Sequence, residues 1–184
     1  MQTSTSSVTR VIDLPAREAA KGSNKGLRDS LVYGLCGLGS LSMATTIAGA
    51  LSRVTAVPAL SAAAISILVV GPGSVVAASY LRLKVPVQAL AAAFGFGVFG
   101  GGLVALCFLP LVAFVSMVDR TGLIGHSVVA LPTLFLVTVA TYPARVLVAI
   151  DPSPRAKAFS VAIGSALFLA FVARLGAGFI GKGV

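Results

Sequence analysis

The residues able to do chemistry are few and scattered. His126 is the single histidine, and the carboxylates are Asp13, Glu18, Asp29, Asp119 and Asp151. Acid–base or nucleophilic catalysis needs a base, an orienting acid and a reacting group within reach of one another, and a metal site needs several ligands at set spacing. No acid follows Asp151, and Cys36 and Cys107 each stand in an apolar stretch with no second Cys or His nearby. One histidine with Met1, Met43 and Met117 does not furnish facing axial ligands for a haem. The sequence therefore predicts no catalytic residue, no metal site, no cofactor and no enzymatic activity, with both cysteines as small packing residues. Ionisable groups inside a membrane are costly and mark ion or proton pathways. Within the spans drawn below these are only His126 and Arg174. His126 is expected in the first turn of a helix, within reach of Asp119 and the interface, and is read as a satisfied interfacial residue in preference to a ligand.

Small residues are abundant where chemistry is absent. Gly34, Gly37 and Gly39 share one apolar run, Gly71, Pro72 and Gly73 interrupt the next, and Gly95, Gly97, Gly100, Gly101 and Gly102 crowd the third. Gly97 and Gly101 have the i, i+4 spacing of a GxxxG face, which lets helix backbones approach in lipid. Gly34, Gly37, Gly71, Gly73, Gly95, Gly97 and Gly101 are thus the expected helix-packing residues. They would serve either a docking face for another subunit or packing within one bundle. Phe94, Phe96 and Phe99 would fill grooves or face acyl chains. The Gly71–Gly73 break would free carbonyls at mid-membrane depth, able to coordinate an ion, or simply kink the helix; with no acid nearby, a kink is preferred.

The elements that must hold these residues follow from hydropathy. The 184 residues are 57% hydrophobic and 10% charged, with mean hydropathy +1.02, whereas soluble domains run at about 45–50% and about 25%. The chain reads as an all-α, polytopic membrane bundle, because lipid offers a bare backbone no hydrogen-bond partner and each crossing needs about 20 apolar residues. The charge-free runs are too long for barrel strands. Helices are expected at about 31–51, 57–80, 87–109, 122–143 and 157–179, with Pro58 and Pro86 in first turns where a missing N–H costs nothing. The third run is 34 residues, roughly 51 Å at 1.5 Å per residue. Either that helix is long, tilted and kinked near Pro110, or residues 110–118 form an interfacial or re-entrant piece; one crossing plus an interfacial extension is favoured.

Charge orients the bundle. The net charge is +9, and in so apolar a chain the excess suits anionic lipid head groups rather than nucleic acid. Five helices put ten basic residues on one side: Arg10, Arg17, Lys21, Lys25, Arg28, Arg82, Lys84, Arg145, Arg155 and Lys157. Arg53, Arg120, Arg174 and Lys182 fall on the other. This bias predicts a matrix-side or cytoplasmic N-terminus. Arg82, Lys84, Arg145, Arg155 and Lys157 become candidates for contact with lipid head groups, cardiolipin among them, or with a partner. Tyr33, Tyr80 and Tyr142 would form an aromatic belt at that side. Residues 1–30 form a polar, basic tail; Asp13, Glu18 and Asp29 argue against a transit peptide. The tail is expected to dock on a partner or on head groups, or else to fold on its own helices, with residues 31–184 as the transmembrane bundle.

The order of features resembles the Bax-inhibitor family, in particular its mitochondrial growth-hormone-inducible transmembrane branch. The resemblance lies in VYGLCGLGSLSMATTIAGALSRV (Val32–Val54), YLRLKVP (Tyr80–Pro86), the glycine-rich third helix, RTGLIGHSVVALPTLFLVTVA (Arg120–Ala140) and AIGSALFLAFVARLGAGF (Ala162–Phe179). It implies about seven helices and a pair of late acids tied to calcium or proton leak. This chain stops after the fifth helix and has no acid beyond Asp151, so no residue inherits that role. Two functions follow as expectations. The first is a non-catalytic accessory subunit of a large inner-membrane assembly, mitochondrial and of the respiratory-chain type, with lipids and other integral subunits as partners. The alternative is a small calcium or proton leak channel or carrier of the Bax-inhibitor kind.

Overall fold

The computed structural model describes residues 24–52, 55–118 and 127–180. Five helices follow one another: α1 (Asn24–Ser52), α2 (Val57–Tyr80), α3 (Val87–Val118), α4 (Ser127–Ile150) and α5 (Pro154–Ile180). All five are long and apolar enough to cross a membrane, and no strand occurs among the described residues. The molecule is an integral membrane helical bundle.

Several boundaries differ from the sequence expectation. Helix α1 begins at Asn24, so Ser30 is a buried helical residue rather than the end of a tail. Helix α3 is continuous through Pro110 to Val118, and residues 110–118 are not a separate interfacial piece. Its 32 residues measure about 48 Å, so it must tilt across or project beyond a hydrocarbon core of roughly 30 Å. Helix α4 runs seven residues past its expected end, through Pro143 to Ile150. An interior proline removes one N–H, and neighbouring helices can supply the freed carbonyl with other contacts. The residues beyond it, including Val146 and Leu147, are buried in the core. Likewise α2 passes through Gly71–Pro72–Gly73 without interruption.

The core is built of small residues. Ala44, Ala48, Ala62, Ala63, Ala89, Ala93, Ala105 and Ala156 are fully buried, while Leu35, Val57, Leu68, Val161 and Leu169 face outward. Lipid tails are as apolar as leucine, so burying a large side chain gains little; close backbone approach and dispersion hold such bundles together. Larger anchors, Phe135, Phe171, Leu41, Leu90 and Leu147, fill what remains. Helix α3 is central, packed extensively on α1 and α4, while α5 joins α4 to α2 and meets neither α1 nor α3. Helices α1 and α2 barely touch.

Candidate functional site

Two glycine seams run along opposite sides of α3. On the α1 side, a Cβ on Gly37 would stand 2.6 Å from Phe99 Cα, one on Gly102 2.7 Å from Gly37 Cα, and one on Gly95 2.8 Å from the Ser30 carbonyl carbon. Gly34 opposes Gly95 at an ordinary 3.5 Å. Residue numbers rise together across this seam, so α1 and α3 are parallel. On the α4 side, a Cβ on Gly97 would lie 2.9 Å from the Val139 oxygen, and one on Gly101 2.9 Å from the Phe135 oxygen and 2.7 Å from its ring. Here the numbers run oppositely, and the helices are antiparallel.

A carbonyl oxygen stands opposite each of five α-hydrogens: Ser30 for Gly95, Val98 for Gly37, Gly37 for Gly102, Val139 for Gly97 and Phe135 for Gly101. The pattern is that of Cα–H···O contacts between closely passing helices, each contributing about 0.5–1 kcal/mol. The Val139 carbonyl is also the one whose i+4 donor Pro143 removes, so α3 offers a partner to an acceptor its own helix cannot satisfy. Gly34, Gly37, Gly95, Gly97 and Gly101 therefore sit within the bundle, where their spacing is used by the chain's own helices. Gly71 and Gly73 differ: a Cβ on either meets nothing within 4 Å. Gly102, read from sequence only as one of a cluster, makes one of the tightest approaches.

The tyrosines divide. Tyr80 ends α2 and is exposed, as a belt residue should be. Tyr33 and Tyr142 lie more than two turns inside their helices. Tyr33 packs its ring on Phe96 and Phe99, centroids 5.7 and 5.1 Å apart, and Tyr142 lies across Gly100, whose Cβ would sit 3.1 Å from the ring. These two also cover the seams.

The basic candidates gather at one end. Because α1 and α3 are parallel, Arg28 lies at the same end as the α2–α3 link, which carries Arg82 and Lys84. The turn after α4 is joined there too: the Lys84 backbone N–H donates to Asp151 Oδ2 at 3.4 Å. Asp151 Oδ1 accepts the Ser153 N–H at 3.1 Å, and the Ser153 hydroxyl caps α5 by accepting the Ala156 N–H at 3.3 Å, with Pro154 in the first helical position. In the sequence Asp151 stands out only as the last acid; Ser153 ahead of Pro154 is the signal of a cap beside it. Hydrogen bonds from Ser153, then the Lys84 N–H and charge, hold the Asp151 carboxyl below the ordinary 3.8 against the opposing effect of its burial. A depressed pKa means the clip stabilises above the unfolded value and is lost as pH falls through the folded one. Wild type is thus expected to melt above Asp151→Ala from neutrality down to about pH 5, with the gap closing below 3.8; a gap independent of pH would contradict this, and melting curves across a pH series decide it.

Among the described non-glycine residues Arg82 alone has a left-handed backbone, φ 51°. The Arg82 N–H donates to the Ser79 carbonyl and the Leu83 N–H to that of Ala78, the Schellman pattern in which glycine usually takes this place. An L-residue there costs roughly 1–2 kcal/mol, so a cation is kept where the turn prefers none. Arg145 lies within α4 rather than in a loop, yet at this same end; Arg155 and Lys157 open α5, and all three are exposed. His126, Asp119, Arg53, Lys182 and residues 1–23 of the tail lie outside the described residues. Among the described residues no group of three or more His, Cys, Asp or Glu could hold a metal, and both cysteines are free and exposed. No family model, curated protein or solved structure matches the chain.

Proposed function

We propose that this chain is a non-catalytic, structural subunit of a large assembly in the mitochondrial inner membrane, of the respiratory-chain type, with its N-terminal side facing the matrix. The supporting observation is the character of the bundle interior. Among the described residues the buried polar side chains within the spans are Ser30, Thr45, Ser66 and Ser74, and each hydroxyl donates to a carbonyl of its own helix one turn back. Among the described residues, polar groups spent in this way leave no chain of donors and acceptors across the membrane, and pathways for ions or protons require one. The basic excess at one end suits the anionic surface of the compartment where the N-terminus would lie.

Gentle detergent extraction followed by native electrophoresis tests the reading. The protein is expected to migrate with respiratory subunits far above its own 18.5 kDa, and proteolysis of sealed membranes should cut tags placed before α1 and after α5 from opposite sides. Migration as a lone protein would remove the proposal, and cleavage of both tags from one side would remove the orientation.

A further inference from the structure

We infer that the groove between α4 and α5 seats one acyl chain of an anionic phospholipid whose phosphate is held by Arg145 and Lys157. The groove has a volume of about 530 Å³ and runs from Thr141 and Ser160 toward Thr133 and Phe168. Lys157 stands one turn before Val161, and Arg145 one turn after Thr141, so both continue the helix faces that line it. Their heights match. Ala140 and Gly164 face each other, a Cβ on Gly164 lying 3.8 Å from Ala140 Cβ; counting from that pair, Arg145 is about 7.5 Å and Lys157 about 10.5 Å toward the basic end. Along α5 the groove is lined from Ser160 to Phe168, about 12 Å, and with the turn that carries Lys157 the site spans about 17 Å, close to one leaflet of a hydrocarbon core of roughly 30 Å.

The lining favours a chain over a helix of another protein. Three of its four hydroxyls are already committed: Thr133 donates to Val129, Thr141 to Thr138 and Ser160 to Lys157, at 2.7–2.8 Å, and Ser165 is the fourth. The described acids are Asp29, on α1, and Asp151, whose oxygens take the Ser153 and Lys84 N–H groups. This leaves Arg145 and Lys157 without an ion-pair partner among the described residues, and a lipid phosphate supplies that charge. The site does not depend on the subunit role proposed above, since a free-standing bundle would carry it equally.

The test uses the purified full chain in nanodiscs of phosphatidylcholine, with and without phosphatidylglycerol, and reads retained lipid by native mass spectrometry and the melting midpoint. One phosphatidylglycerol should be retained and raise the midpoint. Arg145→Gln with Lys157→Gln should weaken retention about thirtyfold, two surface charges' worth, while Arg145→Lys keeps it. Gly164→Leu, which fills the groove and leaves the charges, should also release the lipid. Equal retention of phosphatidylcholine, an unchanged midpoint shift in the double variant, the same shift from inorganic phosphate alone, or a protein found in the groove in place of lipid would each overturn the assignment.

Discussion

Alanine at Gly37 is expected to destabilise the bundle by about 1–3 kcal/mol, and leucine there to reach the top of that range or beyond. The added Cβ would fall on backbone, the Val98 carbonyl and Phe99 Cα, rather than on the end of a flexible side chain. Relief therefore requires α1 and α3 to separate, which also opens the facing contact at Gly102 and forfeits Cα–H···O contacts along the seam. Gly39, two residues on, provides the contrast, since a Cβ there meets nothing within 4 Å. In a helix interior Gly39→Ala should gain about 0.5–1 kcal/mol from reduced backbone freedom in the unfolded chain. Gly73→Ala on α2 should behave like Gly39→Ala for the same reason. Unfolding by titrated denaturing detergent measures all three; a Gly37→Ala midpoint level with that of Gly39→Ala would mean the seam is not the close approach described.

Phe135→Ala should cost about 2 kcal/mol, less than the about 3–5 kcal/mol of a soluble core. The side chain is fully buried, but separated helices stay in lipid, so the about 1.5–3 kcal/mol of transfer from water is never lost. What disappears is dispersion in the cavity left beside α3. The partner variant is Gly101→Ala, whose Cβ would stand 2.7 Å from the Phe135 ring and 2.9 Å from its backbone oxygen. Removing the ring relieves the first clash and not the second. The double variant should therefore be more stable than the sum of the single losses, by a coupling of about 0.5–1 kcal/mol. Strict additivity in the same unfolding assay would show that ring and glycine are not in contact.

How much of this was legible depends on what kind of information each feature carries. The five spans were, because charge in the membrane is costly enough that Arg53, Arg82, Lys84 and Lys157 punctuate the chain. Helix ends at prolines were not. Pro58 opens α2, yet Pro72, Pro110 and Pro143 lie inside helices that continue, because in lipid a broken backbone hydrogen bond is worse than a distorted helix. The glycines were legible as a class and not individually. Gly97 and Gly101 matched a spacing and face α4, whereas Gly71 and Gly73 looked equally suited and face no neighbour closely. The use of a glycine is decided by the surface opposite, and spacing along one helix says nothing of that. The Asp151–Lys84 link is not legible in the sequence, because Lys84 is 67 residues away and contributes a backbone N–H, which no side-chain pattern reveals.

The sparse contact between α1 and α2 also bears on the order of assembly. When the first two helices have entered the bilayer they have almost nothing to hold each other with, since α1 closes on α3 and α2 closes on α5. The first hairpin must wait as two separate rods in lipid until synthesis delivers α3, and α2 finds its most extensive contact only when α5 arrives. Packing of these five helices is thus a late event, completed when α5 arrives, and the interval before it is when an insertion factor or a neighbouring protein would have both open faces to hold.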